Sequence, residues 1–183
     1  MLYSKKIVAF VYARMSSRRL PGKVLMKFYE TPIIKIITDK ISSTGIQPIV
    51  LTSDHQTDDN IETYCIENNI AVYRGSLQNV AFRTISALDK YKCDYFFRVN
   101  GDSPFLQKNL IFESLDIIKD NENIDLCTNI LNRTFPYGIA IELVNSESFK
   151  INYKYFSEYN QEHITSFYYE DSTKFNIINI ENS

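Results

Sequence analysis

"KIVAFVYARMSSRRLPGK", Lys6 to Lys23, changes character half-way along. Its first part, Lys6 to Tyr12, is a continuous apolar, β-branched and aromatic run, the pattern of a strand buried on both faces. The part from Ala13 onward is a loop of another kind. Arg14, Arg18, Arg19 and Lys23 fall within ten positions with no acidic residue among them, in a chain whose formal net charge is -2. A buried strand that ends in a concentrated positive field is how an α/β protein presents a site for a small anion.

The same alternation continues outward from that strand. Thr31 as N-cap, Pro32 at the first helical position, Ile33, Ile34, Ile37 and Ile41 at helical spacing and Gly45 as a stop predict a helix. "QPIVLTS" predicts a second strand, "DDNIETYCIENN" a helix and "AVYR" a short strand. A helix over "NVAFRTISALDKY", a strand over "DYFFRV" and a helix over "KNLIFESLDIIKD" follow. "DLCTN" and "IAIELV" read as strands around an irregular "ILNRTFPYG", before a helix near "QEHITSFYYE" and a last strand "FNIINI". Strands alternating with helices require crossover connections, so the expected fold is a mostly parallel sheet with helices on both faces. Ligands of such sheets bind at the carboxyl ends of the strands. Residues 13–23, 52–58, 74–79 and 100–105 are therefore where chemistry is expected.

Bulk properties narrow the field. At 183 residues and 44% hydrophobic the chain can bury one sizeable core, and it is read as a single domain over residues 1–183. Cys65, Cys93 and Cys127 are odd in number and far apart, which fits buried thiols rather than a disulfide framework or a zinc site. No apolar run approaches the roughly 20 residues needed to cross a bilayer, and the apolar part of "KKIVAFVYAR" is too short for a secretory signal. The expectation is a soluble, cytoplasmic protein. The slightly acidic balance argues against a nucleic-acid face, which calls for a basic stripe or patch.

The first loop lacks the glycines of a phosphate-binding P-loop or a dinucleotide fingerprint, its only glycine being Gly22. Guanidinium and ammonium groups would have to replace that nest: Arg14, Arg19 and Lys23 can converge on a triphosphate, although a solvated basic turn has the same composition. In "RVNGDSPF", Asp102 follows the strand end beside Asn100 and Gly101. A carboxylate there would repel a phosphate unless a divalent cation lay between them, which makes Asp102 a Mg²⁺ ligand candidate; the alternative is a turn aspartate. Arg98, in an otherwise apolar strand, needs an anionic ligand, water or a structural ion pair. No Ser-His-Asp or Cys-His constellation suggests a covalent nucleophile.

"ARMSSRRLPGK" resembles the A-R-x-G-S-x-R-L-P-G-K signature of the cytidylyltransferases that activate acidic sugars, the 3-deoxy-manno-octulosonate and sialate type, and their spore-coat polysaccharide branch in particular. "RGSLQNVAFR" is similar to R-G-S-x-x-D-V-L-x-R of that branch, "FFRVNGDSP" to V-R-V-T-G-D-x-P, "FPYGIAIELV" to P-x-G-L-D-V-E-V and "QEHITSFYY" to R-E-H-V-T-P-Y-I. The resemblance implies a three-layer, Rossmann-like nucleotidyltransferase domain that transfers CMP from CTP to an acidic sugar with release of pyrophosphate. It places Ala13, Arg14, Met15, Arg19, Lys23, Thr52, Ser53 and Asn100 around the nucleotide, with Arg14, Lys23 and Asp102 catalytic and Asp102 on Mg²⁺. Arg98, Glu142 and His163 fall near the sugar, and a homodimer is implied. A sugar-1-phosphate nucleotidylyltransferase and a nucleotide-binding module with little turnover are the alternatives.

The departures also carry expectations. Ser16 and Asn79 stand where the family has glycine and aspartate, and Ala140 replaces the aspartate of L-D-V-E. Ser183 comes before the T-x-D-x-P-E-D segment, whose aspartate is the family's second metal ligand, so this chain is expected to bind CTP with Mg²⁺ and to turn over slowly, with Glu142 the nearest substitute by motif order. If the basic loop holds phosphates, Arg19→Ala and Lys23→Ala should each weaken CTP binding by about 1.5–3 kcal/mol, one charge-assisted hydrogen bond. Arg18→Ala should change it far less, since the signature leaves that position variable; equal calorimetric titrations for all three variants and the parent would refute the assignment.

Overall fold

The computed structural model describes residues 5–17 and 20–182. Chain order is β1 (Ile7–Tyr12), β2 (Lys27–Phe28), β3 (Thr31–Pro32), α1 (Ile33–Ser42), β4 (Gln47–Ser53), α2 (Asp59–Glu67), β5 (Ala71–Gly75), α3 (Val80–Tyr91) and β6 (Tyr95–Asn100). It continues with α4 (Lys108–Asp120), β7 (Leu126–Thr128), β8 (Glu142–Asn145), α5 (Ser146–Asn152), α6 (Glu158–Glu162), α7 (Ser166–Glu170) and β9 (Ile177–Asn179). Among the described residues, seven strands form one sheet in the order β5-β4-β1-β6-β8-β7-β9, and β2 and β3 pair as a separate short hairpin. The sheet is mostly parallel, as expected. β8 alone runs against its neighbours, pairing antiparallel with both β6 and β7.

Alternation along the strands builds two cores, one on each face. Ala9, Val11, Val50, Phe97 and Val99 meet the apolar stripes of α1, α2 and α4, where Ile34, Ile37, Ile41, Ile61, Leu110 and Leu115 are buried. Val8, Phe10, Ile49, Leu51 and Phe96 face the other way, toward α3 and toward Phe149 and Tyr168 of α5 and α7. This three-layer arrangement follows from period-2 strands placed between period-3.6 helices. All three cysteines are buried and free. Burial pushes the Cys65 thiol up to about 12 and Cys127 up to about 11, so both behave as inert core thiols.

Three expected elements differ in detail. The first helix begins at Ile33, with Pro32 as its cap, because Thr31 and Pro32 pair with Phe28 and Lys27 in the β2-β3 hairpin. "IAIELV" contributes to the sheet only from Glu142, since the Ile141 amide is bonded to Asn129 Oδ1. The helix expected near "QEHITSFYYE" is two five-residue helices separated by His163–Thr165. Asn160 joins them across the break, donating to Ser166 Oγ at 2.9 Å and to Glu170 Oε1 at 2.5 Å.

The registers bring the carboxyl ends of the parallel strands to one edge: Tyr12 lies opposite Asn100 and Leu51, and Ser53 opposite Gly75. Gly101 then approaches β1 closely, its amide donating to the Tyr12 carbonyl at 2.8 Å. A Cβ at Gly101 would stand 2.8 Å from that same oxygen and 3.1 Å from Ala13 Cβ. Both obstacles belong to the backbone or sit next to it, so neither can swing away. Gly101→Ala should therefore destabilise the protein by about 1–3 kcal/mol, the scale of overpacking a closed site; an unchanged melting temperature would show that the β1 and β6 ends can separate freely.

Candidate functional site

Loop 13–25 is fastened at Met15. The Met15 amide donates to Asp58 Oδ1 at 2.7 Å, and the Met15 carbonyl accepts from the amides of Ser17 and Gly22, both at 2.9 Å. Gly22 sits at φ +72, a left-handed conformation that suits glycine. The Asp58 carboxylate is fully buried and also accepts from the Ser53 amide and hydroxyl at the end of β4. One carboxylate thus ties the basic loop to the neighbouring strand end.

Above this edge lies a cleft of about 470 Å³. The first loop contributes Ala13, Arg14, Ser17 and Lys23, β6 and its loop contribute Arg98, Asn100 and Asp102, and the far wall is made by Val80 and Arg83 of α3 with Glu162, His163 and Ile164. Of the residues expected here, Ala13, Arg14, Lys23, Arg98, Asn100, Asp102 and His163 meet in this one cleft. Arg18 and Arg19 lie outside the described residues.

Lys23 and Asp102 form an ion pair across the β1 and β6 ends, both half-buried. Arg14 pairs with Glu162 at 3.1 Å, with both side chains more than two-fifths exposed. A pair this open to water contributes at most about 1 kcal/mol, so Arg14 is free to exchange Glu162 for a better anion. His163 ends α6 and rests against the Tyr159 ring at a centroid distance of 4.6 Å.

Other expected residues stand behind the cleft. Thr52 and Ser53 are buried, Ser53 engaged with Asp58 and Thr52 with an unpartnered hydroxyl. Met15 acts through its backbone. Glu142 is 2% exposed and does not reach the cleft surface. Its carboxylate accepts from Arg98 Nη1 at 3.2 Å and from the Tyr169 hydroxyl at 2.8 Å. The expectation that Glu142 touches the sugar or substitutes as a metal ligand is therefore not met by its position: it holds Arg98 from below. Arg98 carries the structural ion pair left open as an alternative, and its guanidinium also lies over the Tyr12 ring at 5.9 Å. Burial, with the Glu142 charge beside it, drives the Tyr169 phenol well above its usual range, so it stays a neutral donor.

The far wall is set by Asn79. Its Oδ1 caps α3 by accepting from the Phe82 amide at 2.7 Å, while its Nδ2 donates to Gln161 Oε1 at 2.7 Å and to the Tyr153 hydroxyl at 3.0 Å. An aspartate there could cap the helix and accept from the Tyr153 hydroxyl, but it has no N–H to donate to the Gln161 oxygen, so asparagine is the residue matched to Gln161 as it lies here.

Among the described residues no group of three or more His, Cys, Asp and Glu side chains is arranged to hold a metal ion. A single carboxylate next to a cationic loop does fit Mg²⁺, which is usually held by one or two carboxylates together with substrate phosphates and water. Asp102 would be that ligand.

A sequence model described as "Cytidylyltransferase" matches residues 8–182. The chain belongs to the cytidylyltransferase family. It is 32% identical over 146 residues to the spore coat polysaccharide biosynthesis protein SpsF of Bacillus subtilis (strain 168), covering 76% of this chain and 59% of that protein. The structure of a cytidylyltransferase from Leptospira borgpetersenii serovar Hardjo-bovis (strain JB197) superposes with a TM-score of 0.91 at 29% identity, covering 98% of this chain and 77% of that one. A CMP:2-keto-3-deoxy-manno-octonic acid synthetase complexed with CTP shares the fold, with a TM-score of 0.73 at 16% identity over 97% of this chain and 90% of its own. This chain spans about three-fifths of the length of SpsF.

Sequence reasoning missed Asp58, Arg83 and Glu162 as members of the site. Arg83 ends the motif "RGSLQNVAFR", and Asp58 lies in the strand-end loop 52–58 where chemistry is expected, but nothing local distinguishes it from Asp54 and Asp59 beside it. Replacing Asp58 by Ala leaves the Met15 and Ser53 amides and the Ser53 hydroxyl without their acceptor. The expected loss is about 3 kcal/mol or more, given roughly 1–3 kcal/mol for each unsatisfied buried group. Ser53→Ala, which removes only one of these bonds, should lose about 1 kcal/mol. Urea unfolding checks both, and equal midpoints for the two variants would show that Asp58 does not fasten the loop.

Proposed function

We propose that this protein binds CTP in the cleft and transfers CMP to a hydroxyl of an acidic sugar, of the 3-deoxy-ulosonic or nonulosonic type, with release of pyrophosphate, in the synthesis of a surface polysaccharide or glycan. The observation that carries the reading is the convergence of Arg14 and Lys23 from the end of β1 with Asp102 from the end of the adjacent parallel strand β6. Cations gathered beside the Asp102 carboxylate suit a metal-bound polyphosphate. Membership of the cytidylyltransferase family supports cytosine as the base. The names of SpsF and of the CTP-bound synthetase of the same fold support the sugar and its use.

In this reading the triphosphate lies along the first loop, where Arg14 leaves Glu162 and Lys23 leaves Asp102 to meet phosphate oxygens. The acceptor oxygen bonds to the α-phosphorus, the bond from that phosphorus to the bridging oxygen breaks, pyrophosphate leaves with the electron pair, and the hydroxyl proton passes to water. A divalent cation on Asp102 would supply Lewis acidity and in-line alignment. The chain's own part is fixed positive charge and geometry: Arg98 is held rigid by Glu142, the loop by Asp58, and no covalent intermediate is required.

The test has two arms. Pyrophosphate release from CTP with Mg²⁺, measured over a panel of 3-deoxy-ulosonic and nonulosonic acids, should rise above background with at least one acid and with CTP over UTP, ATP and GTP. In calorimetry Mg²⁺ should tighten CTP binding to the parent, and Asp102→Asn should abolish that gain while leaving the fold intact, because asparagine makes the same local turn bonds as aspartate. An equal Mg²⁺ effect in both proteins would reduce Asp102 to a turn residue.

A further inference from the structure

The charges lining the cleft do not cancel evenly. Lys23 is paired with Asp102, Arg14 with Glu162 and Arg98 with Glu142. Among the described residues, Arg83 lines the same cleft without a carboxylate partner. It is 3% exposed, its Nη1 donates to the Ser76 carbonyl at 3.0 Å, and its Nε has no partner at all. The carboxylates of Asp58 and Asp54 act on it only through their charge, and the Asp58 oxygens are already engaged by Met15 and Ser53. Burial pulls the Arg83 guanidinium below its usual range, and the positive charge of Arg14 acts in the same direction.

A buried guanidinium without a counter-charge is costly to the free protein, and cores seldom retain one. This one is also held in place. Its stem runs against Gly75, where a Cβ would stand 3.0 Å from Arg83 Cγ, so the glycine makes room for the arginine. A fixed, partly dehydrated fork at the wall of a cleft is a preorganised receptor for two oxygens of a carboxylate or a phosphate.

We propose that Arg83 seats an oxyanion of a bound substrate, either the carboxylate of the acidic sugar or a phosphate of the nucleotide, against the wall formed by α3 and the end of α6. This rests on the nucleotidyl-transfer reading above and adds to it a specific recognition group. It also gives a role to the bond from Asn79 to Gln161, which ties α3 to α6 and so fixes Arg83 relative to Glu162 and His163 in that wall.

The decisive measurement is the Nε–Hε resonance of Arg83 in ¹⁵N-labelled protein, assigned by its loss in Arg83→Lys. It is followed on addition of cytidine, of CTP with Mg²⁺, and, with CMP present, of N-acetylneuraminate and of 3-deoxy-manno-octulosonate. A shift with CTP but not with cytidine supports the proposal with phosphate as the source; a shift that appears only with an acid supports it with the carboxylate. Arg83→Lys should then weaken whichever ligand moves the resonance by about tenfold or more, since the ammonium cannot reproduce the fork. A resonance unmoved by every ligand, in protein that calorimetry shows to bind CTP, overturns the proposal and leaves CTP chemistry standing. Protein that binds neither CTP nor an acid overturns both.

Discussion

The buried carboxylate of Asp58 is the constraint on which the site depends. Ala13 and Val24 anchor the two ends of the first loop in the core, but the cations between them repel one another. Asp58 counters this by accepting from the Met15 amide while its other oxygen takes the Ser53 amide and hydroxyl. Met15 then closes the loop on itself through its carbonyl, which accepts from Ser17 and Gly22. The result is that Arg14 and Lys23 leave from a backbone fixed to the sheet, so their charges converge on the β6 end instead of dispersing.

The sheet supplies the second fixed reference. Parallel pairing puts Tyr12 and Asn100 side by side, and the absence of a side chain at Gly101 lets the chain after β6 cross directly over the end of β1. That crossing brings the Asp102 carboxylate to Lys23. The charged cleft is in this way built on two central strands that are largely buried. Preorganised charge costs no rearrangement when a reaction begins, whereas charge on a free loop must first be ordered.

Much of this was legible in the sequence because it depends on local pattern. "QPIVLTS" and "KNLIFESLDIIKD" coincide with β4 and α4 to the residue, since an apolar β-branched run and a 3.6-residue stripe each leave one solution. The first loop and "NGDSP", which meet in one cleft, stand out in the sequence because charge density and turn chemistry are local too. What escaped reading depends on partners distant in sequence. The break at His163 contains no Gly or Pro, and it arises from Asn160 bridging to Ser166 and Glu170. Glu142 resembled a ligand because its motif is near the site in order, yet Arg98 and Tyr169 claim both of its oxygens. No spacing rule distinguishes a carboxylate that faces a cleft from one that supports it.

The pairing pattern in the cleft accounts for a tension between stability and binding. Four cations around one small volume would weaken the fold if all were bare, and three of them are neutralised internally. The partners differ in how readily they let go. Glu162 is exposed and releases Arg14 at little cost; Asp102 is half-buried and can pass from Lys23 to a metal; Glu142 is buried and does not exchange. In the proposed reaction exchange would proceed from the rim inward: the outer pairs would open as phosphates and a cation replace them, while the Arg98–Glu142 pair keeps the floor in shape. Among the described residues Arg83 has no carboxylate in ion-pair contact, so in its proposed role an incoming anion would gain a pairing that the free cleft does not already hold.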